Sequence, residues 1–138
     1  MIFIYIKMNV NAFLICSYEL NKNIQIDCKS PWVTKGILND PIVSYNTKLI
    51  EDIPRFKGKK LTIFYEKNSD KSEWNLNREI SCMLGKKIYG NAIVCLGTIE
   101  FGFRIDLTYD DLFAIKEFMT SYRKSKTKKQ KELKDSFS

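Results

Sequence analysis

Histidine is absent from all 138 residues. That removes Ser-His-Asp and Cys-His nucleophile chemistry and every imidazole metal ligand. None of the four cysteines (Cys16, Cys28, Cys82, Cys95) forms a C-x-x-C pair, so a zinc knuckle has no ligand set either. Glycine is scarce, and its six residues make neither a G-x-x-x-x-G-K-S/T loop nor a G-x-G-x-x-G turn. The run Gly97-Thr98-Ile99-Glu100-Phe101-Gly102 alternates as a strand does and is not a phosphate cradle. Carboxylates pair only as neighbours, chiefly Asp110-Asp111 and Glu51-Asp52. Adjacent helical residues do not face one another, so Asp110 and Asp111 suit a helix start better than an acid/base couple. The sequence therefore names no catalytic residue, metal ligand or cofactor, and it leans away from an enzyme.

A long apolar run is also missing. Met1-Ile2-Phe3-Ile4-Tyr5-Ile6 is apolar, but Lys7 interrupts it, Asn9 and Asn11 follow, and no positive charge precedes it. A spanning helix needs ~20 apolar residues. The run reads as a strand, or as a dispensable extension of residues 1–7 if Met8 is the true start. No N-x-S/T glycosylation sequon occurs, and although four cysteines allow two disulfides, they lie in or beside apolar stretches where a free thiol serves as a small core residue. Both point to an intracellular protein with reduced thiols and no membrane segment.

What is present is ample for one core. The chain is 44% hydrophobic and 13% aromatic, which argues against disorder, and its length suits a single domain. Usage is skewed, with 19 Lys against 4 Arg, 17 Ile, 10 Asn and 3 Ala, as in an A/T-rich gene. Codon supply thus explains part of a net charge of +7 that would otherwise point to an anionic partner.

Hydrophobic periodicity organises the chain. Residues 10–20 and 23–28 read as strands around Asn21-Lys22-Asn23, with Ile24 and Ile26 alternating with polar neighbours. From Ser30 to Arg55, Pro31, Gly36, Pro41 and Pro54 punctuate loops, with one extended piece at Ile42–Tyr45. Lys59–Glu66 is a strand. Ser72 is placed to cap a helix over 73–84, with Leu76, Ile80, Met83 and Leu84 on one face and Gly85 as the stop. Ile88–Leu96 is a strand in which Gly90 marks a bulge or close approach, and Thr98–Leu107 is its hairpin partner, turning near Gly97. Thr108 and Asp111 form a capping box, after which Leu112, Ile115, Phe118 and Met119 make a core-facing stripe. The expected fold is α+β: a mostly antiparallel sheet packed by a helix near 73–84 and a C-terminal helix near 109–122. Residues 1–122 form the domain and 123–138 a flexible basic tail. That tail holds seven basic and two acidic residues, net +5 of the chain's +7.

Three features are candidate sites. Lys124, Lys126, Lys128, Lys129, Lys131 and Lys134 of the tail would draw polyanions through counterion release; their plain role is a solvated helix end. The aromatics Trp32, Tyr45, Phe64, Tyr65 and Trp74 would stack bases if exposed on a sheet face, and otherwise fill the core. Trp74-Asn75-Leu76-Asn77-Arg78-Glu79 groups polar residues beside a large aromatic, so Trp32, Trp74, Asn77 and Arg78 are candidate contacts for a protein partner.

Trp74-Asn75-Leu76-Asn77-Arg78, then Gly85 through Val94, then Asp106-Leu107-Thr108 before a terminal helix, give residues 60–120 a further aspect. They resemble a family of small proteins of phages, large viruses and bacteria defined only as a domain of unknown function. The resemblance implies a compact α+β domain in a viral or mobile genome and implies no catalysis. The functional expectation is a small non-enzymatic binding protein, an accessory factor that engages a protein partner and uses its tail for polyanions. A nucleic-acid or ribonucleoprotein-associated basic protein is the alternative, and a small His-independent enzyme the second.

Overall fold

The computed structural model describes residues 9–30, 32–45 and 47–136; the N-terminal run and the choice between Met1 and Met8 lie outside them. The architecture is α+β. Strands β1 (Asn9–Ile15), β2 (Lys22–Asp27), β3 (Pro41–Tyr45), β4 (Lys59–Glu66), β5 (Ala92–Thr98) and β6 (Arg104–Ile105) join helices α1 (Thr47–Glu51), α2 (Arg78–Leu84) and α3 (Tyr109–Ser136). One sheet runs in the order β2-β1-β5-β4-β3, with β6 beside the far end of β5. Every pairing is antiparallel.

Side chains on a strand alternate between faces, and here the two faces have different cover. Phe13, Ile15, Leu61, Ile63, Val94 and Leu96 point to one face and pack under α1–α3 through Ile50, Ile80, Met83, Leu112, Ile115 and Met119. On the other face Val10, Ala12, Leu14, Ile26, Ile93 and Cys95 meet Cys28, Val33 and Leu38. Those last residues belong to the segment between β2 and β3, which folds back over the β2–β1–β5 half of the sheet. Among the described residues, no helix lies over the β3–β4 half of that face. β5 is buried from Ala92 to Gly97 because it receives cover from both sides.

Several boundaries depart from the sequence reading. The helix expected over 73–84 is instead a 3-10 turn at Glu73–Asn75 followed by α2, and Asn77, not Ser72, caps it. Asn77 Oδ1 accepts from the Ile80 amide at 3.2 Å, while its Nδ2 donates to the carbonyls of Ile15 and Gly90 at 2.9 and 3.0 Å. Ser72 spends its hydroxyl on Asp70. β1 stops at Ile15, and residues 16–21 form the connection to β2. β5 begins at Ala92, preceded by an isolated bridge between Leu76 and Tyr89, so Gly90 marks a close approach rather than a bulge within the strand. Its φ is +85°, and a Cβ there would run into Glu66 Oε2. The hairpin partner shrinks to β6, and Gly97 lies within β5. α1 went unread among the loops.

The capping box at α3 forms: the Thr108 hydroxyl accepts from the Asp111 amide at 3.1 Å, and the Asp111 carboxylate accepts from the Thr108 amide at 3.5 Å. The apolar stripe ends near Tyr122, but the backbone stays helical to Ser136. No Gly or Pro follows Gly102, and Lys, Gln, Glu and Leu are strong helix formers. All four cysteines are free; Cys28 and Cys95 are buried, Cys16 is half-buried, and Cys82 is exposed on α2. The expectation of four core thiols thus fails at Cys82, which occupies the solvent side of its helix.

Candidate functional site

The uncovered half-face of the sheet carries an ordered array. The register aligns Arg104 with Gly97 on β5 and Gly97 with Lys60 on β4, so one row across three strands reads cation, glycine, cation. The next row aligns Cys95, Thr62 and Tyr45, and the row beyond it Ile93, Phe64 and Val43. Phe103, on the β5–β6 turn, and Lys29, just after β2, join these rows, Ile93 excepted, in lining a groove of about 250 Å³.

Arg104 is anchored by structure. Its Nη1 donates to the carbonyls of Asp27 and Ser30 at 3.2 and 2.8 Å, and its amide donates to the Cys28 carbonyl at 2.8 Å. Carbonyls hold the guanidinium without neutralising it. The Asp27 carboxylate accepts from the amides of Lys29 and Ser30 at 2.8 Å each. Those amide bonds, with Arg104 nearby, hold its pKa below the ordinary range. Beneath the groove, burial pushes the Cys95 thiol up to about 11, against the opposing effect of Arg104. Cys95 is therefore a protonated floor residue at neutral pH and no nucleophile.

The groove lining contains three cations, three aromatic rings (Tyr45, Phe64, Phe103) and no carboxylate. Among the described residues, ion pairs join Lys22 to Glu19, Arg55 to Asp111 and Lys116 to Glu79; Lys29, Lys60 and Arg104 are in none. Tyr45 is 62% exposed.

The sequence candidates scatter. Of the aromatic set, Tyr45 and Phe64 reach the uncovered sheet face, whereas Tyr65 points to the helix face and lies under the Lys86 ammonium, 5.2 Å from its ring centre. Trp32 and Trp74 are 73% and 84% exposed on turns away from the groove lining. Asn77 is excluded as a partner contact: it has 0% exposure, and its amide is consumed by Ile15, Gly90 and Ile80. Arg78 is exposed beside it. Of the tail residues, Lys124, Lys128 and Lys131 share a face of α3 with Thr120, Arg123 and Thr127, forming a shallow channel of about 460 Å³ against Cys82. Lys126 and Lys129 are exposed outside that channel, and the Lys134 side chain lies outside the described ones. Sequence reasoning missed Lys29, Lys60, Phe103 and Arg104. Only the strand alternation placing Lys60 with Thr62 and Phe64 hinted at them; the Arg104 position depends on a β5–β6 register that no local pattern encodes.

Among the described residues no cluster of three or more Cys, Asp or Glu could hold a metal, and no helix is long and apolar enough to cross a membrane. No protein-family model, curated protein or solved structure matches the chain.

Proposed function

We propose that the protein is a non-enzymatic nucleic-acid-binding protein whose contact surface is the uncovered half of its sheet, supplemented by the lysines of α3. The observation that carries this reading is the groove itself: Lys29, Lys60 and Arg104, in no ion pair among the described residues, beside Tyr45, Phe64 and Phe103, with no carboxylate in the lining. Cations with no carboxylate among the groove-lining residues attract phosphates, and aromatic rings on a sheet face offer stacking surfaces to bases. α3 packs on the opposite face, so the tail lysines and the groove would engage different stretches of one polyanion. The resemblance over residues 60–120 supports setting this role in a virus or mobile element, inside a cell. Titrating a labelled 12-nucleotide strand in rising salt tests it. Affinity should fall steeply with salt, and Lys60→Ala should lower it; salt-independent or absent binding counts against the reading.

A second reading, engagement of a protein partner, draws on a different surface. Tyr18, Leu20 and Trp74 are all largely exposed. The hydrogen bond from the Ser17 hydroxyl to Asn75 Oδ1, 2.9 Å, brings their two turns together. Large exposed aromatics are frequent interface anchors. Affinity capture with and without nuclease separates the two, since a protein partner survives the nuclease.

A further inference from the structure

Resting on the nucleic-acid reading, we infer that the groove selects single strands by laying a base against Tyr45 and Phe64 while its phosphate sits between Lys60 and Arg104. Neighbouring strands lie about 4.8 Å apart, so two strand spacings separate the backbones of Lys60 and Arg104 by about 10 Å. Gly97 stands between them and puts no side chain in the row; an added Cβ would press on the Phe103 carbonyl at 3.2 Å, so glycine lets the 103–104 backbone lie close against β5. An anion entering there meets two cations and no acid in the lining, while the Asp27 carboxylate lies near enough to Arg104 to share its field. Along the strand direction the ring-bearing rows begin about 7 Å further on, two residues at about 3.3–3.4 Å each, comparable to the reach from a phosphate to its own base.

The rings are placed for partial access. Tyr45 is on the edge strand and well exposed, Phe64 is half-buried against the second core, and Phe103 stacks on Phe101 at 5.7 Å between ring centres. A duplex keeps its base faces inside its own stack and offers this surface only phosphates. A single strand offers π-faces as well, without regard to base identity. The groove, at about 250 Å³, is smaller than the ~300–1,000 Å³ of enclosed small-molecule pockets, which suits one base of a passing strand.

The test uses the full chain and fluorescence anisotropy with three probes: a 12-nucleotide single strand, the same strand lacking its bases, and the 12-base-pair duplex. Single-strand binding should exceed that of the base-free strand roughly 10-fold, the stacking contribution of about one base, and should exceed duplex binding. Tyr45→Ala should remove most of that difference and leave base-free binding unchanged, while Tyr45→Phe should retain it. Tyr45 is exposed, so neither variant endangers folding. Equal binding of base-bearing and base-free strands, with Tyr45→Ala silent, overturns base stacking yet leaves polyanion binding standing. Failure of all three probes overturns both.

Discussion

The side-chain amide of Asn77 donates to the main-chain carbonyl of Ile15, at 2.9 Å and 62 residues away in sequence. That bond ties the start of α2 to the end of β1, and the same amide holds the Gly90 carbonyl just before β5. Replacing Asn77 by Ala leaves two buried carbonyls and the Ile80 amide without their partner. A cap costs ~1 kcal/mol to remove and each orphaned buried group ~1–3 kcal/mol, so Asn77→Ala should destabilise by about 3 kcal/mol in urea unfolding. Asn77→Asp keeps the acceptor and loses both donors. It should be no more stable than the alanine variant, and wild-type stability in Asn77→Asp would refute the donor role.

Gly90 combines a φ of +85° with a would-be Cβ crowded by Glu66 and Ser69. The left-handed conformation costs a non-glycine residue about 1–2 kcal/mol. Gly90→Ala should lower the thermal midpoint accordingly. Adding Glu66→Ala should restore only the Glu66 share of the steric part, since Ser69 still crowds the added Cβ. Full recovery in the double variant would show the backbone to be unstrained.

Cys95 gives stability a pH dependence in alkali. Its thiol ordinarily titrates at 9.0 and is pushed up to about 11 by burial. Between those values the native state keeps a proton the unfolded chain has lost, so stability is full below pH ~9 and falls as pH rises. At ~1.4 kcal/mol per unit the loss approaches 2–3 kcal/mol. Urea midpoints at about pH 8 and about pH 10.5 should differ more in wild type than in Cys95→Ala. At neutral pH, alkylation followed by mass spectrometry should find Cys82 labelled first and Cys28 and Cys95 protected.

A chain ending at Tyr122 should remain folded, because the core contacts of α3 end at Met119. Its circular dichroism should lose helix signal while its unfolding midpoint changes little. Affinity for nucleic acid should drop, and the slope of affinity against salt should flatten, since Lys124, Lys126, Lys128, Lys129, Lys131 and Lys134 go with the tail. Lysine supplies point charges with little bidentate geometry, so any preference for single strands should survive. Equal affinity of the two chains would leave the tail without this role.

The strands and helices that bury one clear stripe were legible. Alternation marked β4, the capping box marked α3, and Gly85 marked the end of α2, where its φ is +69°. The 73–84 region misled because Ser72 is a good cap in isolation, whereas a buried contact to Ile15 selects Asn77. The site was half legible. Tyr45 and Phe64 stood out as aromatics, but their conjunction with Arg104 and Lys29 is made by pairing across the sheet and by a turn folding back over it. Trp32 and Trp74 drew attention by size alone, and size carries no information about which face a residue occupies. The helical continuation past Tyr122 was hidden because an apolar stripe reports packing and is silent on backbone propensity.

β5 has a consequence for how the chain is made. β1 pairs with β2, and β3 with β4, but these two units share no ladder until β5 lies between β1 and β4. A nascent chain therefore carries two unjoined sheet fragments, each with apolar faces unprotected, until residues 92–98 clear the ribosome. The long-range closure of β1 onto β5 makes this step slow relative to local hairpin formation. During that interval the exposed edges of β1 and β4 are the natural points of misassociation with another chain. α3, which covers one face of the sheet, follows β5 in the chain.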